Sequence, residues 1–136
     1  MIKLLNRKQY TLFAVLVAAI VIVVTIGNLQ IIKNYPSGFD FIAHWQGVRT
    51  FISEGASPYS EQAAAEISMT IQEVNEPGGV GNYRFLTPLF SLIFYAPMAL
   101  IKDAGVAAAI WMTFIEGVLI AAGLTMVRLG NWRRTL

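Results

Sequence analysis

Cysteine is absent from the 136-residue chain, so neither disulfides nor thiolate metal sites contribute to it. Histidine occurs once, at His44, which excludes a multi-histidine metal centre within the chain. Charge is scarce as well: Asp, Glu, Lys and Arg make up 13% of the residues while apolar types reach 56%, far from the balance of a soluble domain. The net charge of +2 comes from residues that flank apolar runs, and it gives no basis for binding nucleic acid. Phosphate-cradling glycine loops, nucleophile elbows and zinc spacings are missing. Gly78-Gly79-Val80-Gly81 follows Pro77 with no strand before it, so it reads as a flexible linker and not as a nucleotide loop. What remains is the composition of an all-α integral membrane protein, read as two to three transmembrane helices with juxtamembrane amphipathic helices in a long external loop.

The first apolar run, Leu12 to Ile26, is 15 residues without a charge or proline. Its flanks bring the helix, over 10–32, to roughly the 20 residues that cross a bilayer. Lys3, Arg7 and Lys8 before it and Thr25-Ile26-Gly27 at its end also suit a cleaved signal peptide, but Asn28-Leu29-Gln30-Ile31-Ile32 continues the helix instead of ending it. A second run, Ala104 to Val127, is interrupted only by Glu116 and predicts a span over 104–128, with a basic tail at 129–136. Basic residues cluster at both ends: Lys3, Arg7 and Lys8 at one, Arg128, Arg133 and Arg134 at the other. The connector is acidic, with Asp40, Glu54, Glu61, Glu66, Glu73 and Glu76 against Lys33, Arg49 and Arg84. Lys and Arg are retained on the cytoplasmic side, so both ends are expected inside and loop 33–84 outside, in a multi-pass protein of the plasma (inner) membrane.

Within the connector, Phe41, Trp45, Val48 and Ile52 recur at helical spacing and predict an amphipathic helix over 41–54 lying on the membrane surface with its tryptophan at the headgroups. Gly55 and Pro58 end it. Ser60 is a plausible N-cap for a helix over 60–75 whose Ala64, Ile67, Ile71 and Val74 share a face while Glu61, Glu66 and Glu73 point elsewhere; Pro77-Gly78-Gly79 closes it. The stretch 85–101 is of marginal spanning length and contains Pro88 and Pro97. It suits an interfacial or re-entrant helix or a third span, and the charge rule favours the former because a third crossing would put the C-terminal arginines outside.

Asp40 is the first candidate for chemistry. A carboxylate just outside a membrane helix, in a partly dehydrated setting, can accept a proton from a hydroxyl nucleophile. Its spacing favours the N-cap of a helix beginning at Phe41, and the two roles are compatible. His44, one turn on, is a polar neighbour or hydrogen-bond partner of Asp40, and no metal site is expected. Arg49 and Arg84 can hold a phosphate, since the guanidinium fork matches its oxygens, or can pair with nearby glutamates and lipid headgroups. Glu116 sits mid-span, where a carboxyl normally needs a partner, and none is expected from the other span of this chain.

The order Asp40-Phe41, Trp45, Gly55, Pro58-Tyr59, Arg84-Phe85-Leu86-Thr87-Pro88-Leu89, Ala96-Pro97-Met98-Ala99-Leu100 and Trp111 resembles the N-terminal part of the family 87 polyprenyl-phosphate-sugar-dependent glycosyltransferases, which have the multi-spanning GT-C architecture. In that family an Asp follows the first span, a G-x-x-P-Y segment closes the first juxtamembrane helix, and an aromatic-x-Y-P-P-L element precedes an apolar helix. The resemblance runs roughly from Gly38 to Thr113. It departs from the pattern at Leu86-Thr87-Pro88, where one proline replaces two, and in the acidic stretch between Tyr59 and Tyr83.

The resemblance implies transfer of a sugar, mannose being one candidate, from a polyprenyl phosphate donor to a hydroxyl of a glycan or glycolipid on the external face. Asp40 would be the general base, with His44, Arg49, Tyr59 and Arg84 around the substrates. No cofactor is implied beyond the lipid-linked donor. Members of the family are several hundred residues long with many more spans, so the chain is read as an incomplete N-terminal portion that needs further helices or a partner subunit. The competing expectation is a small non-enzymatic membrane subunit whose external amphipathic helices dock a partner.

Overall fold

The computed structural model describes residues 6–34, 39–74 and 83–130. Among these the ordered elements are all helical: α1 (Arg7–Asn34), α2 (Phe39–Glu54), α3 (Glu61–Val74), a 3-10 turn (Leu89–Ser91), α4 (Leu92–Ala99) and α5 (Ala104–Leu129). Lys3, the Pro77-Gly78-Gly79 break, Arg133 and Arg134 lie outside the described residues.

Helices α1 and α5, of 28 and 26 residues, are both long and apolar enough to cross a membrane. At 1.5 Å per residue each is about 40 Å long, which exceeds the hydrocarbon thickness of about 30 Å. Asn6 and Gln9 start α1 with a reciprocal box: each backbone N–H donates to the other's side-chain oxygen, at 2.9 and 3.1 Å. The polarity of α1 is inverted relative to a soluble helix. Leu12, Phe13, Ile20 and Val23 are each more than 60% exposed, whereas its one buried residue is Asn28. Such a surface has to be covered by lipid or protein.

The two long helices run antiparallel. Gly105, at the start of α5, lies against Ile32 and Leu29 near the end of α1, and Thr113 bonds Thr25 and Asn28. Further along, Gly117 and Ala121 face Val21 across a groove. Arg7, Lys8 and Arg128 therefore share one end of the pair, and α2, α3 and α4 gather at the other.

At that end a small core forms from Ile42, Ala43 and Val48 of α2, Ile67 and Ile71 of α3, Phe85, and Ala99 of α4. Gly55 ends α2 in the left-handed region (φ 69°), its N–H donating to the Phe51 carbonyl at 3.1 Å. Ser60 caps α3 by accepting from the Ala63 N–H at 3.2 Å. Asp103 caps α5 in the same way through the Val106 N–H at 2.8 Å.

Two expectations are corrected by the packing. Helix α2 begins at Phe39, so Asp40 lies inside its first turn and is not its N-cap. Trp45 is buried, donating its indole N–H to the carbonyls of Met98 (2.9 Å) and Ile101 (3.2 Å), while Ile52 is 49% exposed. Covering α2 with both α3 and α4 buries Trp45 and Val48 of the predicted stripe and widens the buried face to Ile42 and Ala43, while Ile52 is left out of it. The 3-10 turn and α4 together extend over Leu89–Ala99, about 17 Å at helical rise, which is shorter than the hydrocarbon thickness of a bilayer.

Candidate functional site

Asp40 is exposed in the first turn of α2, where a negative side chain is favoured by the helix dipole. Its carboxylate forms no hydrogen bond or ion pair with any described residue. One turn on, His44 Nδ1 meets the main-chain carbonyl of Asp40 and not its carboxylate. A carbonyl only accepts, so Nδ1 is the donor in this contact. The ring's Nε2 is buried and has no partner among the described residues.

The imidazole is held between rings. It stacks on Tyr95 of α4 at 4.8 Å and meets the edge of Phe85 at 5.4 Å. Phe85 in turn meets Tyr59 at 5.3 Å, and Tyr95 meets Trp111 of α5 at 4.9 Å. These contacts make a continuous aromatic line from the α2–α3 turn to the long helix α5, and Asp40 sits beside its middle. Burial pushes the Tyr95 phenol up from its ordinary value, and the nearby Asp40 carboxylate adds to that rise. The phenol therefore stays neutral, with a hydroxyl that bonds no described residue. Tyr95 is the site residue that sequence reasoning missed: it lies inside an apolar stretch, 55 positions from Asp40, with no local signal to join them.

The other sequence-derived candidates are tied into the fold. Arg49 donates through Nη1 to the carbonyls of Ala99 (3.2 Å) and Ile101 (3.5 Å) and lies over the Trp45 ring at 5.4 Å. It thus closes the C-terminal turn of α4, whose last carbonyls have no partner within the helix. Arg84 forms a two-pronged pair with Glu61, at 2.8 and 3.0 Å. The Tyr59 hydroxyl donates to the Thr87 carbonyl at 2.6 Å. Tyr59, Arg84, Phe85, Pro58, Ser60 and Ala64 border a cavity of about 240 Å³ at the α2–α3 turn, away from the Asp40 carboxylate. Asp40, His44 and Tyr95 are thus brought together, whereas Tyr59 and Arg84 form a separate group.

Two polar clusters complete the picture. Glu66 of α3 turns toward α2 and accepts from Thr50, Gln46 (3.0 Å) and Gln62 (3.4 Å). The Thr50 hydroxyl, chiefly, holds its carboxyl below the ordinary value; burial opposes this, and Gln46 and Gln62 reinforce it. Between α1 and α5, Asn28 Nδ2 donates to Glu116 Oε2 and to Thr113 Oγ1, both at 3.1 Å, and Thr25 bonds Thr113 at 3.1 Å. The expectation that Glu116 lacks a partner on the other span is thereby overturned. Side chains tilt toward the N-terminus of their own helix, so in an antiparallel pair Asn28 and Glu116 lean toward each other.

Among the described residues no three His, Asp or Glu side chains converge as a metal site would need. No family model matches the chain, and neither a curated protein nor a solved structure matches it.

Proposed function

We propose that the chain is a plasma-membrane protein whose α1 and α5 cross the bilayer with Arg7, Lys8 and Arg128 on the cytoplasmic side. We further propose that its external helices supply the base for glycosyl transfer from a polyprenyl-phosphate-linked sugar to a hydroxyl of a glycan or glycolipid. The observation that carries this reading is the unpaired, exposed carboxylate of Asp40 in the first turn of α2, a helix anchored one turn on by the stacking of His44 on Tyr95. In the transfer the acceptor hydroxyl loses its proton to Asp40 as its oxygen bonds the anomeric carbon. The bond from that carbon to the donor phosphate breaks, and the phosphate leaves with the electron pair.

A departing phosphate needs positive charge. Arg84 is engaged by Glu61 through both terminal nitrogens, and Arg49 is held on the Ala99 and Ile101 carbonyls, nine residues on from Asp40 and on the opposite face of α2, so neither supplies that charge beside Asp40. Further membrane helices would build the rest of the donor site. The second reading, a non-enzymatic subunit, is favoured by the internal use of Tyr59 and Arg84, which leaves few polar groups free for substrate.

Membranes carrying the protein, supplied with a radiolabelled polyprenyl-phosphate hexose and a glycolipid acceptor, separate the two. Asp40→Asn is expected to lower transfer by about 10²-fold or more with insertion unchanged. Undiminished transfer removes Asp40 from the role of base, and a parent protein without transfer supports the subunit. Orientation is read independently: the chain lacks cysteine, so Ser57→Cys should react with an impermeant maleimide from outside.

A further inference from the structure

Glu116 stands 12 residues into α5, about 18 Å from its start and near the midpoint of the span. Asn28 binds its Oε2. The other oxygen, Oε1, has no partner among the described residues, and it is not enclosed, since the one buried unpartnered side-chain atom there is His44 Nε2. Glu116 borders a groove of about 380 Å³ between the long helices, whose remaining walls are Ile20, Val21, Val24, Gly117 and other apolar residues, with Thr113 alongside. On the opposite flank of the same pair a groove of about 450 Å³, with Ile110, Phe114 and Val118, holds no carboxyl.

Lipid suits the second groove and not the first, because acyl chains have no donor for a carboxyl oxygen and an unsatisfied polar group in hydrocarbon is costly. The chain's own spans supply no cation at this depth: α1 has no Lys or Arg between Lys8 and Lys33, and α5 has none before Arg128. A second copy packed on this flank would set carboxyl against carboxyl. Gly117, which borders both grooves, leaves open space next to Glu116 in sequence, since a Cβ there would meet nothing within 4 Å.

We infer that the Glu116 flank of the α1–α5 pair seats a further transmembrane helix carrying a lysine or arginine at mid-depth. The inference rests on the membrane placement proposed above and is independent of any transfer chemistry. The full chain, labelled at Ser57→Cys, is reconstituted in phosphatidylcholine vesicles with acceptor-labelled Leu/Ala host helices of about 22 residues bearing a central Arg, Lys or Leu, and energy transfer is titrated. The Arg and Lys hosts should associate about 10-fold more tightly than the Leu host. Glu116→Gln should reduce them to the level of the Leu host, and Gly117→Leu, which fills the groove and leaves the carboxyl in place, should weaken them too.

Equal binding of all hosts overturns the proposal, as does binding indifferent to Glu116→Gln. Energy transfer between two copies of the chain that Glu116→Leu abolishes also overturns it, by placing a second copy on this flank. Resistance of the protein to alkaline extraction tells the failures apart. An inserted chain without host preference sinks this inference alone, and an extractable chain sinks the membrane placement with it.

Discussion

Replacing Gly47 with alanine sets two effects of similar size against each other. Removing a glycine from the interior of a helix stabilises it by about 1 kcal/mol. A Cβ on Gly47, however, would sit 2.9 Å from Phe85 Cδ2 and 3.3 Å from Phe85 Cβ. The first contact alone would be relieved by turning the ring, but Phe85 is 2% exposed and its ring is bounded by His44 and Tyr59 on two sides. The second contact is with the stem of the side chain, which moves only with its backbone. Overpacking of this kind costs about 1–3 kcal/mol, so Gly47→Ala should destabilise the protein by about 1 kcal/mol net. Unfolding by SDS titration from dodecyl maltoside micelles, followed by tryptophan fluorescence, measures it. Adding Phe85→Leu to Gly47→Ala should cost less than the two single changes summed, because the shortened side chain yields the space. Gly27→Ala is the control, since a Cβ there meets nothing within 4 Å. A Gly47→Ala protein as stable as the parent would show that the approach of α2 to Phe85 is looser than the reasoning requires.

Acid should loosen the contact between α2 and α3. Hydrogen bonds led by that from Thr50 lower the Glu66 carboxyl, so its stabilisation is fully present above about pH 4.5 and is lost as pH falls through the depressed folded value. The difference in melting temperature between parent and Glu66→Gln should therefore shrink as pH is lowered through this range, and a gap that stays constant removes Glu66 from the account. Asn28→Val should destabilise the α1–α5 pair by about 1–2 kcal/mol by withdrawing the donor shared by Thr113 and Glu116. In a cycle with Glu116→Leu the losses should fall short of additivity, and strictly additive losses would mean that the two side chains do not interact.

The two long helices were legible because a run of apolar residues needs no tertiary knowledge to be read. Gly55 and Ser60 were legible for a similar reason: a left-handed glycine and a capping hydroxyl act within a few residues of chain. The face of α2 was legible only in part: Trp45 and Val48 are buried and Phe41 packs on the core, but Ile42 and Ala43 are buried too and Ile52 is exposed, because the two helices that cover α2 arrive later in sequence. Arg49 was read as a phosphate ligand or a partner of glutamates because its actual acceptors are main-chain carbonyls, which look alike in every sequence. The Asn28–Glu116 bond joins residues 88 positions apart. Finding it requires the register of the antiparallel pair, and Asn28 lay just beyond the apolar run, Leu12 to Ile26, by which the first span was recognised.

Asp40 and Glu116 both retain spare capacity in this fold, and their surroundings give that capacity different meanings. Asp40 faces solvent, where water hydrates a carboxylate without help from the protein, so its lack of a partner carries no penalty and leaves it free to meet a transient one. A hydroxyl that surrenders a proton and departs as product is such a partner, and the fold has only to hold α2 steady, which the His44, Tyr95 and Phe85 contacts do. Glu116 has no comparable freedom once α5 lies in hydrocarbon, because every moment without a partner for Oε1 carries the cost of an unsatisfied polar group. Its complement must therefore be resident. On the readings proposed above, the open carboxylate at the surface serves turnover and the open carboxyl within the span serves assembly.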